Sequence, residues 1–334
     1  MIGSKLRVRV MDWSDSTVYD VSDGDFKVVG RIEVISPNGG QIWEVGDREQ
    51  IKWERIGSIA NVRIEYSTDG GRSFPYLIAD SVDASKGEIW WDIPDVIGNE
   101  LKVKVSDSVD REVFDISDGV FKVVGKLKLI RPNGGQIWKV GQREEIIWET
   151  VGSIEDVKLE YSVDGGTSFR VIIPSVKGKE GRYSWVVPDI IGNRVRIKVS
   201  DNFASEVYDI SDGNFEVKGR LELVSPNGGE VWRVGSQHPI IWSKAGSIGE
   251  VDLLYSTDGG KSFLKVIISG LKGLRAGYIW NVPDDISSQV KVKVRQSNDE
   301  LVYDESDGVF KIVGGLRLVS PNGGQIWEVG DREQ

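Results

Sequence analysis

The sequence predicts an all-β chain of small sandwich domains joined end to end, and three observations predict it. A phrase, Pro37-Asn38-Gly39-Gly40-Gln41-Ile42-Trp43-Glu44-Val45-Gly46, recurs with small changes from Pro132, Pro226 and Pro321. Its period of about 95 residues is too long for one supersecondary repeat and suits one small domain. Between the copies, short runs alternate apolar with polar residues, and clusters of Gly, Asn, Asp and Pro punctuate them.

The elements of the first full repeat follow in chain order. Ile51 and Trp53 flank Lys52; Val62, Ile64 and Tyr66 alternate with Arg63 and Glu65. Leu101, Val103 and Val105 alternate with Lys102 and Lys104, and Phe121 and Val123 flank Lys122. This period of two marks strands with one buried and one wet face. Pro37-Asn38-Gly39-Gly40, Asp69-Gly70-Gly71, Pro94-Asp95 with Gly98-Asn99, and Asp118-Gly119 read as the turns between them. No segment carries a helical period with caps. About seven or eight short strands, with a turn every 8–12 residues or so, is the pattern of an immunoglobulin-like sandwich.

Residues 31–125, 126–219 and 220–314 read as complete repeats. Residues 1–30 read as the C-terminal part of another, because Ile2 to Val10 matches Ile191 to Val199. Residues 315–334 read as the N-terminal part of a further copy, since Ser320 to Gln334 repeats Ser36 to Gln50 letter for letter. The chain is therefore expected to be a window on a longer array. A single Gly (Gly30, Gly125, Gly219, or Gly314 with Gly315) separates the last strand of one repeat from the first strand of the next. Joints this short contain no flexible linker, so the array is expected to form an elongated, semi-rigid rod.

Each repeat carries Trp at three equivalent places: Trp43, Trp53 and Trp91; Trp138, Trp148 and Trp185; Trp232, Trp242 and Trp280. Burying one removes roughly 200 Å² from water, worth on the order of 5 kcal/mol as an upper bound. These aromatics are read as core. Trp13 and Trp90 break the pattern: Trp13 stands where Ser108 and Asn202 occur, and Trp90 where Ser184 and Ile279 occur. Both are expected on the surface, as candidate contacts for a sugar ring or a partner protein.

Composition narrows the function. Acidic residues outnumber basic ones, 52 to 42, for a net charge of -10, with no basic stripe, which argues against a nucleic-acid partner. The absence of cysteine rules out disulfides and thiolate metal sites. No apolar run is long enough for membrane insertion in this segment. The single histidine, His238, forms no recurrent acid–base site, so no catalytic residue is assigned and the chain is read as not an enzyme.

Two further motifs recur. Ser67-Thr68-Asp69-Gly70-Gly71-Arg72-Ser73-Phe74, with copies from Ser162 and Ser256, resembles the Asp-box of sialidases and related propellers. It is read as a turn in which the Asp carboxylate accepts backbone N–H bonds. The acidic loop Phe114-Asp115-Ile116-Ser117-Asp118-Gly119 recurs from Tyr19, Tyr208 and Tyr303, with Asp107 and Asp110 just upstream. It is expected at the pole facing the preceding repeat. No cofactor is assigned, and Asp115, Asp118, Asp209 and Asp212 are the calcium candidates. Their spacing matches no dedicated calcium loop, and Asp and Ser at turns commonly cap backbone groups.

The spaced set Ser-Pro-Asn-Gly-Gly-x-Ile/Val-Trp-x-Val-Gly, Ile-x-Trp, Tyr-Ser-x-Asp-Gly-Gly-x-Ser-Phe and Trp-x-Ile/Val-Pro-Asp resembles the yeast cell-wall-synthesis N-terminal-like domain. This immunoglobulin-like module belongs to Ser/Thr-rich anchored fungal wall proteins and also occurs in large secreted bacterial proteins. The resemblance implies a non-catalytic module at the cell surface or outside the cell. The chain departs from the fungal pattern in being a tandem array without a Ser/Thr-rich stalk, so a role in glucan assembly does not carry over.

The expected function is thus a structural or adhesive repeat region of a long extracellular protein: a stalk, filament or adhesin shaft. Its partners are neighbouring repeats of the same chain, with lateral self-association into filaments. The alternatives are a carbohydrate- or cell-wall-binding array, contacting glycan through Trp13, Trp90 or the loops that vary between repeats, and an accessory region of a large secreted hydrolase.

Overall fold

A computed structural model of the chain describes residues 3–272, 276–320, 322–330 and 332. Pro321, which opens the last copy of the phrase, and Gln334, which ends the Ser320–Gln334 match, lie outside the described residues, as do 273–275 in the variable loop of the third full repeat. The N-terminal stretch forms β1 (Gly3–Leu6), β2 (Arg9–Met11), β3 (Tyr19–Val21) and β4 (Phe26–Val28). In it β1 pairs with β4 and β2 with β3, both antiparallel.

The first full repeat continues with β5 (Arg31–Ser36), β6 (Ile42–Glu44), β7 (Arg48–Ile56), β8 (Asn61–Ser67), β9 (Tyr76–Asp83), β10 (Glu88–Asp92), β11 (Gly98–Asp107), β12 (Phe114–Ile116) and β13 (Phe121–Val124). Among the described residues, one sheet has the order β10-β7-β5, and the other the order β6-β13-β11-β8-β9 with β12 beside β11. The pairs are antiparallel except β6 with β13, which run parallel. The same strand order recurs from Lys126 to Lys218 and from Arg220 to Val313. This is a tandem immunoglobulin-like β-sandwich architecture.

The alternating pattern places the faces. Leu101, Val103 and Val105 of β11 are fully buried, while Lys102 and Lys104 between them lie at the outer face. Each repeat closes over its own aromatic core. Trp43 from β6 meets Trp91 from β10 edge to face at 6.0 Å and packs on Phe121 of β13 at 4.9 Å. The second and third repeats hold the same three rings in the same way. Trp53 is also buried, and its indole N–H donates to the Ala84 carbonyl at 3.2 Å, in the 3-10 turn Ala84–Lys86. Trp148 uses the Gly178 carbonyl in the same way.

The repeated phrase is the crossover between the sheets: the chain leaves one at Ser36 and enters the other at Ile42. Gly39, at φ +127°, packs on the loop before β13, and a Cβ there would stand 2.9 Å from the Gly119 Cα. Only two facing glycines let the backbones approach this closely.

The Asp-box turns are held from within. Asp69 accepts from the Ser67 hydroxyl (2.6 Å), the Ser73 hydroxyl (2.6 Å) and the Ser73 N–H (3.1 Å). Asp164 and Asp258 sit in the same cage of donors. The hydroxyls of Ser67, Ser162 and Ser256, followed by those of Ser73, Ser168 and Ser262, hold the three carboxyls well below the usual carboxylate range. A carboxyl depressed in the folded state stabilises the fold above its unfolded value of about 4, and that stabilisation disappears as pH falls through the folded value. Circular dichroism melts across this range should therefore show a falling melting temperature below about pH 4. The triple variant Asp69→Asn, Asp164→Asn, Asp258→Asn should melt lower than the parent at neutral pH and lose less on acidification.

Candidate functional site

Two recurrent sets of contacts account for most of the polar residues that the repeats share. The first is a clasp within each sandwich. The Val34 N–H donates to Asp115 Oδ2 at 2.8 Å, and the Asn38 amide donates to Asp118 Oδ2 at 2.8 Å. Asn38 Oδ1 in turn accepts from the Asp118 N–H at 2.6 Å. The Ser117 hydroxyl donates to the Pro37 carbonyl at 2.7 Å and accepts from the Val103 N–H at 3.0 Å. The second repeat copies the clasp with Asp209, Asp212, Ser211 and Asn133, the third with Asp304, Asp307, Ser306 and Asn227.

The acidic loop was expected at the pole facing the preceding repeat, and the structure corrects that position. The outer half of β11 pairs with β12 and its inner half with β13, so the link between them must cross at mid-height. The Ser117 N–H accordingly bonds the Val103 carbonyl midway along β11. Asp115, Asp118, Asp209 and Asp212 there accept from N–H groups of the crossover and the neighbouring strand. Among the described residues, no three Asp, Glu or His side chains converge as metal ligands would. The pole itself carries Asp110, which forms an ion pair with Lys27 of the N-terminal stretch.

The second set forms the joints. At Gly125, a Cβ would stand 2.6 Å from Ile154 Cγ1 and 2.7 Å from the Val151 carbonyl oxygen. Gly30 lies as close to Ile59, and Gly219 to Ile248. Each of these isoleucines is buried and belongs to the repeat that follows, in the turn after its third strand. The turn before Ile154 then docks on the preceding repeat. The Ser153 N–H donates to Asp95 Oδ1 at 2.9 Å and its hydroxyl to Asp95 Oδ2, while Gly152 packs on Val45. One joint further on, the Ser247 hydroxyl donates to Asp189, and Gly246 packs on Val140 and Ile191. Ile97 of the first repeat and Ala245 of the third both pack against the core of the second.

Charge completes each joint. Lys126 bridges to Glu44 at 3.2 Å and to Asp47, and chiefly the Asp47 bond raises its ammonium above the ordinary lysine value. Lys122 reaches Glu206 at 3.1 Å. At the next joint the lysine has moved two positions along the strand: Lys218, only 7% exposed, meets Asp299 at 2.7 Å and Glu216 at 3.4 Å. Burial alone would depress that ammonium, but Asp299 and Glu216 outweigh it and hold it raised.

Sequence reasoning took Pro94-Asp95 for a turn and passed over Gly57-Ser58-Ile59, Gly152-Ser153-Ile154 and Gly246-Ser247-Ile248. These are two halves of one contact, supplied by successive repeats. Their signal was recurrence beyond what a turn needs, in segments a whole domain apart.

Of the remaining candidates, Trp13 is fully exposed in the turn between β2 and β3, and Trp90 is 51% exposed on the outer face of β10. His238 stacks on Trp232 at 4.4 Å and bonds the Ser236 hydroxyl at 3.0 Å, which makes it a packing residue.

The joints predict two separable outcomes. Asp95→Ala with Asp189→Ala should leave each sandwich folded, with a small change in melting temperature, and broaden the interdomain orientations read from residual dipolar couplings. Gly125→Ala must displace Ile154 or the Val151 backbone, an overpacking cost of about 1–3 kcal/mol. Calorimetry should show that loss in the transition of the second repeat.

No protein-family model and no curated protein matches the chain, so the yeast cell-wall resemblance is carried by its motifs alone. Among solved structures, the chain is similar to the fibronectin(III)-like modules of Clostridium thermocellum CbhA at 18% identity and a TM-score of 0.22, covering 56% of this chain and 94% of that one. It is similar to the N-terminal four Ig domains of Dscam1 isoform 6.9 at 12% identity and a TM-score of 0.28, over 89% of this chain and 77% of that one. It is also similar to Sidekick-1 immunoglobulin domains 1–5 at 8% identity and a TM-score of 0.31, over 92% and 66%. The immunoglobulin-like assignment rests on the sheets and strand order themselves.

Proposed function

We propose that the chain is a non-catalytic structural and adhesive repeat region of a long extracellular or cell-surface protein, serving as a stalk, filament or adhesin shaft. The units are 31–125, 126–219 and 220–314, with parts of two further copies at 1–30 and 315–334. The observation that carries this reading is the joint: a single Gly, held against a buried Ile and fastened by an Asp–Ser contact, leaves no slack between repeats. A shaft needs this property, and a string of independent binding domains does not. The assignment of the shared acids to clasps and turns, and of His238 to packing, supports a non-catalytic role.

Lateral association has its own support. The outer strand of the larger sheet exposes an apolar residue at one equivalent position in every full repeat: Leu77, Val171 and Val266. Exposed sheet edges with apolar side chains are ready sites for pairing with another chain.

Small-angle scattering from the chain should give the profile of an extended, semi-rigid particle with a maximum dimension on the order of 100 Å, from strand lengths of about 3.3 Å per residue plus loops. A compact globule, or a freely jointed ensemble, would overturn the shaft reading.

A further inference from the structure

We infer that the first full repeat carries a binding cleft for a neutral saccharide chain, built around Trp90 and absent from its neighbours. The inference is independent of the shaft reading, since it rests on one repeat and on none of the joints.

The strand period puts Trp91 in the core and Trp90 outside, on the face of the smaller sheet. Trp90 stands directly across from Gln50, and the Arg48 guanidinium lies 5.7 Å from its ring. Because β10 is the edge of its sheet, the ring borders the gap between the two sheets. An open cleft of about 650 Å³ lies there, lined by Arg48, Ser81, Asp83, Lys86, Glu88 and Trp90, within the usual size range for small-ligand sites of roughly 300–1,000 Å³.

The lining selects the ligand class. An exposed indole offers a flat apolar face, which suits the C–H face of a pyranose ring. Around it stand two cations, Arg48 and Lys86, and two anions, Asp83 and Glu88. The balance favours neither an anionic nor a cationic ligand, and it supplies both donors and acceptors, as ring hydroxyls require. Gln50, across the strand from Trp90, donates its amide to Glu88 at 3.3 Å and so orients that carboxylate at the cleft.

Arg48 and Ser81 recur in the second repeat as Arg143 and Ser175, but Trp90 and the residues around it change in both neighbours. In the second repeat Trp90, Gln50, Asp83 and Glu88 become Ser184, Glu145, Lys177 and Arg182; in the third they become Ile279, Pro239, Lys272 and Gly277. A ring needed for the architecture would recur, as Trp43, Trp53 and Trp91 do. Trp90 does not.

Isothermal titration of the whole chain with cello-, laminari-, chito-, manno- and xylo-oligosaccharides tests the inference. At least one series should bind with one site per chain. Trp90→Ala should weaken that binding by about tenfold or more, and Gln50→Ala should weaken it by a smaller factor. Trp13→Ala should leave it unchanged. Because Trp90 is on the surface, the Trp90→Ala chain should melt with the parent, which separates lost binding from lost fold. The inference fails if no series binds, if binding survives in Trp90→Ala, or if three equivalent sites appear. It also fails if Trp90→Ala abolishes self-association in sedimentation while no saccharide binds, because the surface is then a protein contact.

Discussion

The close approach of backbone to side chain at the single-Gly joints is the constraint on which the rest depends. Gly125 cannot carry even a methyl group without displacing Ile154. The last strand of one sandwich and the first strand of the next are therefore held at a fixed separation. Once that separation is set, Asp95 meets Ser153 and Lys126 meets Glu44 and Asp47 almost as a matter of geometry. Burial at such a contact is small compared with a sandwich core, but it acts on a chain with no linker entropy left to lose.

The clasp plays the corresponding part inside each repeat. A sandwich whose chain switches sheets between β5 and β6 must bury or satisfy the polar backbone of the crossover. Asp115 and Asp118 do so from the other end of the domain sequence, tying the first strands to the last. Two classes of recurrent residue thus have different jobs: the Asn38–Asp118 and Ser117–Pro37 contacts close a domain, and the Asp95–Ser153 and Gly125–Ile154 contacts join two.

The sandwich was legible in the sequence because a strand's faces follow a period of two, which Leu101 to Val105 and Val62 to Tyr66 display without ambiguity. The Trp set was legible for the same reason, and so was the Asp69 turn, since its bonds are local. What escaped was non-local pairing. Nothing in Asp115 says that its partner is the Val34 N–H, 81 positions away. The joints were hidden for a related reason: Asp95 and Ser153 each look like ordinary turn residues, and only their apposition across a domain boundary gives them meaning. The height of the acidic loop was misplaced because β11 is shared, end to end, by two different partners.

The parallel pairing of β6 with β13 has a mechanical consequence. These strands lie near the two ends of a repeat's sequence, and they bond in register at Ile42 with Lys122, Trp43 with Val123 and Glu44 with Val124. Tension along the array reaches β6 from its N-terminal side and β13 from its C-terminal side, so it slides one past the other. Hydrogen bonds loaded in that direction share the force and must yield together, whereas bonds in a hairpin pulled from its open end give way one at a time. Each repeat is thereby loaded in shear, not in peeling, when it is pulled from its two ends.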